Sequence, residues 1–82
     1  MRPPKPTDAQ LKDLRDRFGF RVQEREPEVF GRIALISERA MEFAVSVVGA
    51  THPGRTQSLA LTKIEEAMQW AHTSIIREED LP

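Results

Sequence analysis

The sequence predicts an all-α protein: a short N-terminal helix followed by a long antiparallel helical hairpin, in an oligomeric assembly. Two long segments repeat apolar residues at alternating steps of three and four, the period of a packed helix. A short turn joins these segments, and long helices with so short a connection lie antiparallel. No run indicates a β-strand more strongly than the brief Phe-Arg-Val at residues 20–22.

The chain begins with a proline-rich segment, residues 1–7, which we expect to form an extended arm. Thr7 is followed three residues later by Gln10, which is the spacing of a capping box. In that motif each side chain accepts a hydrogen bond from the other residue's backbone amide. The pair therefore predicts a helix that begins near residue 8.

This first helix has one narrow apolar stripe, formed by Leu11, Leu14 and Phe18. Gly19 is predicted to stop the helix by adopting a left-handed conformation. We place the helix at about residues 8–17, within a segment 8–25 that continues into a basic loop.

A second, longer helix is predicted to start at Pro27, a residue well suited to the first helical position. Glu26 and Glu28 complement the positive end of the helix dipole. We expect the helix to run to about Val48 and to end at Gly49.

The second helix carries two apolar rows, which together make a wide face. The first row is a heptad seam of Val29, Ile33, Ile36, Ala40, Phe43 and Val47. The second row contains Phe30, Ala34, Met41, Val45 and Val48. This face is wider than one helix-to-helix contact covers, so the pattern predicts oligomerisation, and a charge at Phe43 is expected to unfold the protein.

The turn Ala-Thr-His-Pro-Gly-Arg-Thr-Gln at residues 50–57 precedes a third helix, for which Thr56 is the expected cap. Its seam consists of Leu61, Ile64, Met68, Ala71 and Ile75. The hairpin domain is thus predicted over residues 26–77, and an acidic tail over residues 78–82.

Composition limits the function classes that remain. The chain has 82 residues, the size of one small domain, and 12 basic against 13 acidic residues give a net charge of −1. A general DNA-binding role is disfavoured by this balance. The absence of cysteine excludes disulfides and thiolate chemistry. No targeting or membrane-spanning run is present, so we expect a soluble chain.

Residues for acid–base chemistry do not converge in the sequence. Glu65 and Glu66 are adjacent, so they point about 100° apart on a helix, and we expect both on a solvated face. His52 and His72 lie a helix length apart and have no metal-binding spacing. We therefore expect no enzyme activity, no metal site and no cofactor.

Aromatic and basic side chains are the candidates for binding. Trp70 lies on a flank of the third helix, where it either packs on the N-terminal helix or a neighbouring subunit, or stacks on a ligand base. Phe20 stands beside Arg21 and Arg25, a group that either stacks on a base and pairs with its phosphate or forms an ordinary surface pairing of phenylalanine with arginine. Phe18 raises the same choice, although its place in the first stripe favours the core.

Arg55 and Thr56 form a second candidate site. Arg55 stands in the turn beside the free amides of a helix N-terminus, which together offer charge and donors to a phosphate. The alternative is an ordinary turn arginine. Arg32 and Arg39 project from the second helix, where Glu28 favours a surface ion pair with Arg32.

The run PGRTQSLALTKIEEAMQWAHTSI at residues 53–75 resembles the helical-hairpin domain of phage sponge proteins, the anti-CBASS and anti-Thoeris inhibitors of bacterial defence signalling. The resemblance extends over about residues 28–77. Its most specific part is R-x-x-S-L-A-x-T-K-I-E-E-A-x-x-W-A, whereas the first 25 residues match loosely.

The resemblance implies a small helical protein that binds cyclic oligonucleotides or cyclic ADP-ribose derivatives intact. Members commonly assemble as hexamers, with pockets shared between subunits, and they act in the cytoplasm of the infected host. Two departures stand out: His72 replaces a usual asparagine, and the chain lacks the N-terminal tyrosine with which some members stack on a base. Phe20 or Phe18 is the expected substitute for that tyrosine.

The leading hypothesis is therefore a non-catalytic sponge that sequesters a cyclic nucleotide immune messenger. A structural or adaptor hairpin that binds only protein is the alternative. A nucleic-acid-binding hairpin comes third because of the charge balance.

Overall fold

The computed structural model describes residues 4–19 and 27–80, which form three helices. They are α1 (Asp8–Phe18), α2 (Pro27–Ala50) and α3 (Arg55–Asp80). No strand occurs in these two ranges. The predicted all-α class is confirmed.

Helix α1 begins as the sequence predicts and ends differently. The Gln10 amide donates to Thr7 Oγ1 at 3.1 Å, and the Thr7 amide donates to Gln10 Oε1 at 2.9 Å, which completes the capping box. The predicted left-handed Gly19 is wrong, because its backbone is extended. Glycine instead provides space, since a Cβ there would lie 2.7 Å from the Arg15 carbonyl oxygen.

The turn between α2 and α3 is shorter than predicted. Helix α2 continues past Gly49 to Ala50, and the Thr51 hydroxyl donates to the Val47 carbonyl at 2.6 Å. The Gln57 side-chain amide in turn donates to Thr51 Oγ1 at 3.0 Å. These bonds satisfy polar groups at the end of α2, so that glycine is not needed to stop the helix.

The start of α3 also corrects the prediction that Thr56 is its cap. The helix begins at Arg55, and the first bond of the helix runs from the Ser58 amide to the Gly54 carbonyl at 3.0 Å. Gly54 has φ +159°, which a residue with a side chain rarely adopts. Thr56 is therefore the second residue of the helix and is exposed.

The core is built from all three helices. Its buried members are Leu14, Phe18, Ala44, Val48, Leu61 and Met68. Leu14 and Phe18 are each only 1% exposed, which confirms the predicted stripe of α1. On α3, the burial of Leu61, Met68 and Ile75 confirms the predicted seam.

On α2 the buried face differs from the predicted one. Its buried residues are Ser37, Ala44 and Val48, whereas Phe43 is 60% exposed. The reason is that α1 also packs on α2, which rotates the buried face away from the heptad seam. A charge at Phe43 therefore enters no core of this chain, and the expectation that it unfolds the protein is wrong for the single chain.

Side-chain hydrogen bonds connect α2 and its following turn to α3. Gln57 reaches Thr51 near the turn, and His72 far along α3 reaches Ser37 in the first half of α2. The late part of α3 is thus placed beside the early part of α2.

Candidate functional site

Arg55 and Thr56 lie side by side on the first turn of α3, and both are exposed. The Arg55 guanidinium has no hydrogen bond or ion pair to the part of the chain that the structure describes. It is therefore available, at the positive end of the α3 dipole, to an anion from solution.

Trp70 is 68% exposed, so the predicted packing against the N-terminal helix is wrong. It shares its face of α3 with Leu59, which is 48% exposed. Between them on this face, Lys63 Nζ and Glu66 Oε2 form an ion pair of 3.3 Å. Contact with another copy and contact with a ligand remain as roles for the indole.

Arg55 and Trp70 are separated along one straight helix. Their positions are fifteen residues apart, and at a rise of about 1.5 Å per residue this amounts to roughly 22 Å. One chain therefore does not bring these two candidates to a common pocket.

The remaining predicted site residues fall into two groups. Phe20, Arg21 and Arg25 lie outside the described residues. Phe18 is buried in the core, so the idea that its ring stacks on a ligand base is wrong for this fold. The Arg17 guanidinium lies 5.8 Å from the centroid of that ring and covers it.

A cross-helix ion pair was missed by the sequence analysis. Arg17 Nε donates to Glu65 Oε2 at 3.3 Å, and both side chains are about one quarter exposed. The expected solvated position is therefore wrong for Glu65, whereas Glu66 is exposed as predicted. Forty-eight residues separate the partners, so no local pattern reveals this link between α1 and α3.

His72 forms a second polar bridge, in the interface of α2 and α3. Its Nε2 lies 3.1 Å from Ser37 Oγ, and Ser37 is only 3% exposed. Burial lowers the pKa of His72, and a hydrogen bond to the Ile33 backbone opposes this effect without cancelling it. The imidazole is therefore neutral at physiological pH and serves as a packing group.

Two grooves on the surface were not predicted. The first lies between α1 and α2, has a volume of about 340 Å³, and is lined by Arg15, Phe18, Gly19, Ser37, Glu38, Met41 and Glu42. The second, the α2–α3 groove, has a volume of about 490 Å³. Its lining consists of Ile36, Arg39, Ala40, Phe43, Lys63, Ile64, Ala67, Met68 and Ala71.

The charged residues that line the α2–α3 groove are both cations. Arg39 comes from the α2 wall and Lys63 from the α3 wall. Arg39 Nη1 donates to both carboxylate oxygens of Glu42 at 3.1 Å, and Lys63 pairs with Glu66. Neither carboxylate lines the groove. Each cation thus lines the apolar groove, while the carboxylate that pairs with it lies outside the groove and is exposed to solvent.

The family model named Acb2/Tad1, hairpin domain, matches residues 3–75. The chain belongs to this family of anti-CBASS and anti-Thoeris sponges. The match covers α1, α2 and most of α3. It therefore extends into the N-terminal part, where the resemblance in sequence is loose. No curated protein and no solved structure matches the chain.

Family membership implies a protein that sequesters a cyclic nucleotide rather than one that transforms it. Among the side chains that the structure describes, no three His, Asp or Glu groups cluster as a metal site. None of the described helices is both long enough and apolar enough to cross a bilayer.

The His72 bridge makes the stability of the fold depend on pH. The folded pKa lies below the ordinary value of 6.5, so the unfolded chain binds the proton more readily. We expect the free energy of unfolding to be constant above that value and to fall as the pH drops from it towards the folded pKa. Urea denaturation at neutral pH and about one unit below the ordinary pKa measures this slope.

A matched pair of variants isolates the histidine responsible. His72→Asn, which replaces the imidazole with an uncharged polar side chain, should remove the slope above the range in which carboxylates titrate. His52→Asn changes an exposed turn histidine and should leave the slope intact. Equal slopes in all three proteins would contradict the assignment.

Proposed function

We propose that this protein is a non-catalytic sponge, which binds a cyclic oligonucleotide or a cyclic ADP-ribose derivative in the cytoplasm of an infected bacterium. The observation that carries the proposal is the family match over residues 3–75. By holding the messenger intact, the sponge keeps a defence effector from being activated.

The arrangement of ionisable side chains supports binding over turnover. Glu65 and Glu66 point to different partners, Arg17 and Lys63, and so form no carboxylate pair. The neutral His72 is engaged with Ser37 inside the helix interface. General acid–base catalysis needs such groups to converge on one reacting atom.

Exposed apolar side chains support an assembly of antiparallel hairpins, with a hexamer as the expected form. Large apolar side chains stand in solvent at Leu35, Phe43, Leu59 and Trp70, with exposures from 48% to 68%. Within residues 4–19 and 27–77 the buried cluster has six members, and association stabilises small chains by covering further apolar surface. Ligand pockets shared between copies would also bring distant residues such as Arg55 and Trp70 together.

The same exposed surface favours a second candidate, a structural adaptor that binds only protein. The two functions differ in whether a cyclic nucleotide binds at all.

The first prediction from this proposed function is that the protein binds a messenger and releases it unchanged. Calorimetric titration with cyclic di-AMP, cyclic tri-AMP and glyco-cyclic ADP-ribose should reveal tight binding of at least one of them. After long incubation and heat denaturation, chromatography should recover the starting compound. Absence of binding to all three would favour the adaptor, and a product formed with turnover would contradict a sponge.

The second prediction concerns assembly. Leu59→Glu should lower the mass measured by light scattering, because it places a charge in a surface that another copy covers. Circular dichroism should remain helical, since Leu59 is 48% exposed and outside the core of the chain.

Two further measurements complete this test. Thr62→Glu adds the same charge at an exposed position of α3 and serves as the control. If assembly covers the indole of Trp70, the single tryptophan, its emission should shift to the red in the dissociated variant relative to wild type, because dissociation exposes the ring to water. A wild-type protein that is monomeric at micromolar concentration would refute the assembly.

The third prediction places Arg55 on a ligand phosphate. Arg55→Ala should weaken binding by about tenfold to a hundredfold, the range of a charge-assisted hydrogen bond of about 1.5–3 kcal/mol. The free energy of unfolding should change little, because Arg55 is exposed and unpaired within the described residues. Arg77→Ala, at an exposed position in the same helix, is the matched control. Affinities within twofold of wild type for every messenger would remove Arg55 from the site.

A further inference from the structure

We propose that the α2–α3 groove binds one nucleoside-phosphate unit of the messenger, with its base on Phe43 and its phosphate between Arg39 and Lys63. This inference rests on the proposed sponge function and adds a specific binding surface to it. None of these three residues was a site candidate from the sequence.

The groove has the size and composition that such a unit requires. Its volume of about 490 Å³ falls within the range of small-molecule pockets, roughly 300–1,000 Å³. Its floor is apolar, and one cation stands on each helical wall. A nucleotide presents the complementary pair of features, a flat base with apolar faces and a charged phosphate.

Phe43 supplies an accessible aromatic surface in this groove. The residue is 60% exposed although it is large and apolar, and the packing of α1 on α2 does not use it. Stacking of a base on an aromatic ring is favourable for every base. The ring is therefore suited to messengers that differ in their bases.

The two cations are able to exchange their present partners for a phosphate. Arg39 and Glu42 are both about two thirds exposed, and Lys63 and Glu66 are similarly open to solvent. Ion pairs so exposed contribute little to stability, so giving them up costs little. A phosphate between the two walls would meet both cations at once, whereas each carboxylate now pairs with one of them.

Charge also distinguishes this groove from the groove between α1 and α2. The latter is lined by Glu38 and Glu42 with Arg15 as its cation, so an approaching phosphate meets a net negative rim. The α2–α3 groove has two cations and no carboxylate in its lining. Once a phosphate displaces Glu42 and Glu66 from these cations, it meets two positive charges in the α2–α3 groove, against Arg15 alone in the groove between α1 and α2.

The test compares variants on the two sides of each ion pair by calorimetric titration. Arg39→Gln and Lys63→Gln should each weaken binding of at least one of cyclic di-AMP, cyclic tri-AMP and glyco-cyclic ADP-ribose by about tenfold. Glu42→Gln and Glu66→Gln should bind the same probe as tightly as wild type or more tightly. If the ion pairs have only a structural role, the cation variants and the carboxylate variants should weaken binding by equal amounts.

Phe43→Leu tests the base contact while it keeps the surface apolar. Binding of the same probe should weaken by about tenfold, with the mass of the assembly unchanged in light scattering. This variant separates stacking of a base on the ring from a general apolar contact at this position.

The outcomes separate failure of this inference from failure of the proposed function. A wild-type protein that binds none of the three probes overturns both. If the wild type binds a probe and the Arg39→Gln/Lys63→Gln double variant binds it with an affinity within twofold of wild type, the groove assignment alone is overturned. Loss of assembly mass in that double variant, with affinity per chain unchanged, would identify the groove as a contact between copies and also overturn the inference.

Discussion

The burial of Leu14 and Phe18 against the two long helices is the constraint on which the rest of this structure depends. These side chains are each 1% exposed and meet Ala44, whose exposure is 0%, at the centre of the core. A residue as small as alanine lets the helices approach closely at this point. Because α1 takes this part of α2, the heptad seam is left partly open and Phe43 faces solvent.

Much of the fold is encoded by local patterns, which explains why it could be predicted. The capping box of Thr7 and Gln10 fixes the start of α1, and the three–four spacing of Leu61, Met68 and Ile75 fixes the buried side of α3. The buried side of α2 was predicted less well because periodicity does not say which of two apolar rows faces which neighbour. That choice depends on α1, a contact between segments distant in the sequence.

The candidate site was predictable to a smaller extent. Arg55 and Trp70 were candidates for ligand binding, with an ordinary turn arginine and a packed indole as the alternatives, and the structure leaves both side chains exposed. The bridges from Arg17 to Glu65 and from Ser37 to His72 join helices across 48 and 35 residues, respectively. Sequence spacing within one helix carries no information about such pairs, and the grooves likewise arise only when two helices lie side by side.

Assembly and ligand binding are coupled in the proposed sponge through any pocket that uses both Arg55 and Trp70. A single chain holds Arg55 and Trp70 roughly 22 Å apart on one helix, so a compact pocket that uses both needs a second copy. A ligand that contacts two copies binds only the assembled state, and by mass action it stabilises that state as its concentration rises. Messenger accumulation during infection would then favour the species able to remove it. The exposed apolar side chains suit this mechanism, because surface left uncovered in one chain becomes available for contacts between chains and with ligand.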